Sequence, residues 1–170
     1  MNKQKRILIG LVSLVVLISL ILFWTNHNKI DRENRLKLES VVGHSLYQIW
    51  NNYSSISDMN SSLTETNLSI MLADLKRVDI YSGIVDQVVE KSLLKRFSEK
   101  MLNSAQIISQ NYEKSGEFSD IDRTMFLLIT EKSKAFLPHI TSIYYKRSEE
   151  GKVKFKISDY SELEELIDSF

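Results

Sequence analysis

The chain has 170 residues, one domain's worth of length, and its 22 Lys+Arg balance 22 Asp+Glu. The first 24 residues hold three basic groups and no acidic one, which leaves 19 Lys+Arg against 22 Asp+Glu over 25–170; a nucleic-acid binder that neutralises phosphate carries a basic excess instead. The absence of Cys excludes disulfides, thiolate metal sites, Cys nucleophiles and Cys-linked lipids, and five Gly with one Pro argue against an all-β or loop-rich chain.

Residues 1–6 form a short basic tail with Lys3, Lys5 and Arg6. Ile7 to Trp24 (ILIGLVSLVVLISLILFW) then runs 18 residues without a charge, interrupted only by Ser13 and Ser19. At about 1.5 Å per residue the run reaches roughly 27 Å, close to the ~30 Å hydrocarbon core of a bilayer. Helix is the single-segment solution in lipid, because every backbone polar group must be satisfied internally. The anchor is carried by residues such as Ile7, Leu14 and Leu20, with Phe23 and Trp24 at the headgroup level, where aromatic rings favour the interface. The run exceeds the roughly 7–15 residues of a signal-peptide core, and Trp24-Thr25-Asn26-His27-Asn28 offers no small-x-small cleavage site. The expectation is an uncleaved signal anchor in the plasma membrane, with the lipid bilayer as its first partner. Lys3, Lys5 and Arg6 abut the span on one side and uncharged Thr25-Asn26 on the other, which favours the N-terminus inside and the C-terminal domain outside.

Residues 25–53 read as an amphipathic stalk helix. Leu38, Val42, Leu46, Ile49 or Trp50, and Tyr53 recur at spacings of three and four, and Glu33 with Lys37 forms an i, i+4 pair. No turn signal separates Trp24 from this stretch, so one helix is predicted to run to about Tyr53, with Gly43 as its weak point. Ser54 to Ser62 reads as a loop.

The compact domain is expected over 54–170. A second helix opens at Thr64–Asn67 with a stripe of Leu68, Met71 or Leu72, Leu75 and Val78, and Ser82-Gly83 marks a break. The pattern resumes at Val85 and continues through Leu93, Phe97 and Met101 to Tyr112, where Lys114-Ser115-Gly116 stops it. Ser119 or Asp120 caps the next helix, with Asp122 in its first turn; Met125, Phe126, Leu128, Ile129 and Phe136 supply its apolar face, and Pro138 ends it. Ile140 to Ser158 predicts a β-hairpin, since Lys152 to Ser158 alternates Val153, Phe155 and Ile157 with lysines; the competing reading carries the Phe126 helix on to about Ser148. Asp159 to Phe170 closes as a short helix. The fold class is mainly α: an N-terminal transmembrane helix, then a small helical bundle with a C-terminal β-hairpin and a short terminal helix. The layout superficially resembles type IV pilins, but the glutamate those carry near the start of the membrane helix has no counterpart in this span.

No motif brings catalytic groups together. Ser92-Leu-Leu-Lys95, Ser109-Gln-Asn111 and Lys114-Ser115-Gly116 match fragments of Ser–Lys acyl-enzyme signatures. All fall along one predicted helix, where Ser92 and Lys114 are about 33 Å apart, too far to share a substrate. His27, His44 and His139 lack the neighbouring ligands of a zinc site, and Asp120-Ile-Asp122 reads as a helix start rather than a metal loop. Asn52, Asn60 and Asn67 begin glycosylation sequons, which matter only in a eukaryotic secretory pathway. Neither catalytic nor cofactor nor metal residues are expected. Tyr47, Trp50 and Tyr53 crowd one stretch of the stalk and form the candidate partner patch, because Trp and Tyr dominate interface hot spots.

The expectation is a non-enzymatic, single-pass protein that presents an extracytoplasmic helical domain to another envelope protein or to itself, with no nucleic acid involved. Two alternatives stand beside it: a membrane-proximal envelope enzyme without a recognisable motif, and a phage-type lysis or envelope-spanning component.

Overall fold

A computed structural model describes residues 3–59, 62–89, 91–141, 146–147, 153–154 and 161–169, apart from the side chains of 3–16, 27, 28, 31, 32, 35 and the strand residues. The protein is mainly helical: α1 (Lys3–Ser57), α2 (Glu65–Val89), α3 (Leu93–Ser115), α4 (Asp120–His139), two short strands β1 (Lys146–Arg147) and β2 (Val153–Lys154), and α5 (Ser161–Asp168). It divides into two compact units, Met1–Ser40 and Val41–Phe170.

The first unit contains the N-terminal part of α1. Every side chain described from Leu17 to Ser40 is exposed, including Leu20, Phe23 and Trp24. Among the described residues no helix is long and apolar enough to cross a membrane. The expected span falls largely outside them, since the side chains of 7–16, Ile7 and Leu14 included, are not described. Glu33 pairs with Lys29 at 4.0 Å, one turn before it, rather than with the predicted Lys37. Leu38 is exposed and does not belong to the buried stripe.

In the second unit the stripe begins at Val42 and continues through Leu46, Ile49, Tyr53 and Ile56, all buried. Their spacings of four, three, four and three hold them on one face of the helix. That face meets Leu68, Met71, Leu75 and Val78 of α2, Phe97, Met101 and Ile108 of α3, Phe126, Ile129 and Phe136 of α4, and Leu163 and Ile167 of α5 in one core. Burying a side chain of this size fully contributes about 1.5–3 kcal/mol. At the centre Tyr53, Phe97 and Phe136 pack ring to ring, with centroids 4.8–6.0 Å apart. α1 outruns its predicted end by a turn, to Ser57, because Ile56 still falls on the buried stripe.

The predicted break at Ser82-Gly83 does not occur. Ser82 is buried in mid-helix, and α2 continues to Val89. The break comes later, before Leu93, and a carboxylate from the preceding helix organises it. Ser92 flanks α3 without capping it. Asp86 instead accepts the Lys95 N–H at 2.8 Å and the Leu94 N–H at 3.4 Å, satisfying two orphan donors of the first turn of α3. Burial outweighs these bonds and raises the Asp86 carboxyl to about 6.

α3 ends where predicted. Gly116 adopts φ 74°, and its N–H bonds to the Tyr112 carbonyl. Gly tolerates this left-handed conformation without a Cβ penalty. Ser119 caps α4 through a capping box with Asp122: the Ser119 hydroxyl accepts the Asp122 N–H, and the Asp122 carboxylate accepts the Ser119 N–H. Burial raises the Asp122 carboxyl, but hydrogen bonds from Asn111 and Ser119 outweigh it and hold the group below its ordinary value.

Pro138 does not end α4, as the pre-proline rule predicts; the helix carries it inside the last turn. Pro138 faces solvent, so only one N–H is lost. The Ile140 N–H still reaches the Phe136 carbonyl, and Ile140–Thr141 form a π-type turn beyond it. Ile140 is buried, so the core draws in the residues that the β-branched run assigned to a strand. Of the predicted hairpin, only β1 and β2 are described, antiparallel, with Lys146 opposite Lys154 and Arg147 opposite Val153; Ser142–Tyr145, Ser148–Lys152 and Phe155–Ser158 lie outside the described residues. α5 docks through Leu163 and Ile167. Its last turn is held by Lys100, which donates to the Ile167 carbonyl at 2.8 Å, and by Arg96, 3.3 Å from Asp168. Cationic groups suit that helix end.

Candidate functional site

The predicted patch of Tyr47, Trp50 and Tyr53 separates into two roles. Tyr53 is a core residue, 1% exposed. It lies seven residues after Leu46, two turns along the same buried stripe. Its hydroxyl has no hydrogen-bond partner among the described residues. Burial, with repulsion from Asp79 added, pushes the phenol far above its ordinary value. Tyr47 and Trp50 lie off the stripe and stay 56% and 38% exposed.

These two rings flank a shallow groove of about 310 Å³, lined by Leu46, Tyr47, Trp50, Ile140 and Thr141. Leu46 and Ile140 are buried and form its floor. The Thr141 hydroxyl is engaged with the Pro138 carbonyl at 2.8 Å. From Val41 to Tyr53 the helix carries no Asp, Glu, Lys or Arg. The groove is therefore apolar with aromatic sides, suited to a large hydrophobic side chain and without groups for acid–base chemistry. Tyr47 and Trp50 are legible in the sequence through their residue types. Ile140 and Thr141 do not stand out, because their strand-like composition favours the hairpin over the alternative in which the helix continues past Pro138.

A second cleft, about 460 Å³, lies between the start of α2 and the end of α3 and includes Glu65, Ser69, Ser109, Tyr112 and Glu113. The Tyr112 hydroxyl bonds Glu65 at 3.4 Å, and the Ser109 hydroxyl bonds Glu113 at 3.3 Å. Both bonds are long and exposed, and nothing desolvates the carboxylates.

The remaining titratable groups of the interior hold the fold. Asp74 accepts from Ser55 of α1 at 2.8 Å and pairs with Arg77 at 2.7 Å. Asp79 pairs with Lys95 at 2.5 Å and accepts from Ser98 at 3.1 Å, joining α2 to α3. The residues of the Ser–Lys fragments are dispersed among such tasks: Ser92 flanks α3, Lys95 serves Asp79, Asn111 serves Asp122, and Ser115 bonds the Asn111 carbonyl. His44 stands edge-on to Tyr81 at 6.0 Å, and His139 lies 3.5 Å from Glu162; the side chain of His27 is not among those described. Among the described residues no three His, Asp or Glu converge as a metal site. Asn52 is buried with its amide bonded to the Gln48 carbonyl, which removes that sequon from modification in the folded state. Asn67 bonds the Ser62 carbonyl, and Asn60 lies outside the described residues.

No protein family, curated protein or solved structure matches the chain.

Proposed function

We propose that the chain is a single-pass membrane protein whose helical domain, Val41–Phe170, binds a partner protein of the cell envelope through the Tyr47–Trp50 groove. The observation that carries the reading is the pair of exposed aromatic rings flanking an apolar floor on a helix segment without charge. Surface Trp and Tyr beside a desolvated pocket are the residues that concentrate binding energy in interfaces. The occupant is an apolar side chain of the partner, Leu, Ile or Phe in size, inserted between the rings. The membrane anchor is Ile7–Trp24, argued from its length and its lack of charge. The orientation is N-terminus inside and domain outside, argued from the basic residues that abut the span.

A photo-crosslinking residue at Tyr47 tests the docking role in native membranes. The expected result is one discrete protein adduct, absent when the same residue replaces exposed Ile107 on α3. Equal crosslinking from both positions, or none from Tyr47, overturns the groove. Ser115→Cys tests topology, because the chain has no other thiol. Labelling of intact cells by an impermeant maleimide is expected; labelling only after lysis puts the domain in the cytoplasm.

A further inference from the structure

The outward side of α4 carries a stripe that neither the core nor the groove uses. Asp120, Arg123, Leu127, Glu131 and Lys134 are all exposed. Their spacings of three, four, four and three hold them on one side of the helix, while Asp122, Phe126, Ile129 and Phe136 face inward. None of the four charged side chains has an ion-pair partner among the described residues.

The order of signs along the stripe is minus, plus, neutral, minus, plus. Turned end for end it becomes plus, minus, neutral, plus, minus. The stripe is therefore its own electrostatic complement in antiparallel register, whereas an in-register parallel pair sets like against like. We infer that α4 pairs with α4 of a second copy of this chain in an antiparallel, two-fold interface centred on Leu127. Asp120 then faces the partner's Lys134, and Arg123 faces the partner's Glu131, each contact occurring twice as an isologous interface requires.

Apolar surface adjoins one flank of the stripe, about a quarter to a third of a turn round the helix from Leu127. Ile121 is 72% exposed and Leu128 37%, and with Met125 they line a recess of about 360 Å³. In the register set by the charges, Leu128 falls beside the two-fold axis next to Leu127. Charge thus selects orientation and partner, and Leu127 with Leu128 beside it supplies the area removed from water.

The test uses the full chain in its membrane, where the absence of native Cys gives each introduced thiol a clean background. Under mild oxidation, Leu127→Cys is expected to give a disulfide-linked dimer, and Ile107→Cys on α3 is the control that does not. Asp120→Cys and Lys134→Cys are expected to link to each other when co-expressed and not when each is alone. Glu131→Lys in the Leu127→Cys background is expected to slow crosslinking roughly tenfold, as two exposed pairs become repulsive. The swap Arg123→Glu with Glu131→Lys restores it, which also shows that the charge variants fold. Crosslinking of Leu127→Cys no faster than the control overturns the interface. So does crosslinking indifferent to Glu131→Lys, the outcome expected if a different protein covers this face. Linkage of Asp120→Cys to itself overturns the antiparallel register.

Discussion

Two stretches of the same helix meet different surroundings. From Leu17 to Trp24 every side chain of α1 is exposed, five large aliphatic residues, Phe23 and Trp24 among them. From Val42 to Ile56 five apolar residues are buried in a single stripe, joined by buried Ser45 and Asn52, while Tyr47, Trp50 and Ser55 stay exposed. The first stretch is apolar nearly all round, so no packing face is distinguished. The second is apolar at spacings of three and four, so one face suffices and α2 to α5 cover it. The distribution of the apolar residues around the axis, rather than their number, separates a stretch without a packing face from one that α2 to α5 cover.

The largest effect comes from breaking the second stretch alone. Phe97→Ala removes a fully buried ring, stacked 4.8 Å from Phe136 and 6.0 Å from Tyr53. A loss of about 3–5 kcal/mol is expected in denaturant unfolding of the detergent-solubilised chain. Leu20→Ala, in the first stretch, should leave the same transition unmoved. An equal shift from both would mean that the two stretches belong to one cooperative structure.

The converse substitution strikes the first stretch. Leu14→Arg places a charge at the middle of the expected span, at a cost of about 2.5–3.5 kcal/mol of insertion free energy. The expected outcome is a fraction of chain released by alkaline extraction of membranes, against none for wild type. Unchanged retention would sink the anchor.

The periodic elements were legible because their cause is local. The stripe from Val42 to Tyr53, the stop at Gly116 and the start at Ser119 are written in neighbouring residues whose chemistry is the same in any fold. What was hidden depends on partners distant in sequence. Tyr53 stands in the stripe by spacing and in the patch with Tyr47 and Trp50 by residue type; only Phe97 and Phe136, which cover it, decide between the two. The α2–α3 junction was misplaced for the same reason. Gly83 is the usual breaker, yet the helix breaks where Asp86 can reach the Leu94 and Lys95 amides, eight and nine residues on. No short-range pattern announces that bond. The groove was half legible, because its α1 side shows as aromatic residues and its Ile140–Thr141 side reads as a strand.

Asp86 also lets pH act on one stretch and spare the other. Ile7–Trp24 contains no ionisable side chain, so its membrane retention should not change between pH 4 and 7. In the domain, the folded Asp86 carboxyl lies at about 6, above its unfolded value near 4. The fold therefore disfavours the ionised form. This contribution to stability is fully present below about pH 4 and is lost as pH rises through about 6, on the order of 2 kcal/mol. Asp122 runs the other way, its carboxyl held below the ordinary value, so its contribution is lost as pH falls below about 4. Unfolding free energies measured from pH 4 to 7 should fall for wild type and stay flatter for Asp86→Asn. An Asp86→Asn slope equal to that of wild type would assign the dependence elsewhere.

The smallest effect separates two serines, one on each of the first two helices of the domain. Ser45 of α1 and Ser82 of α2 are both buried, 2% and 1% exposed. The Ser45 hydroxyl donates to the Val41 carbonyl at 2.9 Å, the back-bond available to a serine within a helix. The Ser82 hydroxyl has no partner among the described residues. Removing a satisfied hydroxyl exchanges a net bond worth about 0.5–1.5 kcal/mol for an easier burial, whereas removing an orphan relieves a desolvation cost with nothing lost. Alanine is also the better helix former by a few tenths of a kcal/mol. Ser82→Ala is thus expected to stabilise the domain by about 1 kcal/mol and Ser45→Ala to leave it near neutral, read as denaturant midpoints at constant slope. Destabilisation by Ser82→Ala would mean that a buried water or a residue outside the described set completes the bond. The helical pattern would then be right about which face is inside and wrong about whether that face is dry.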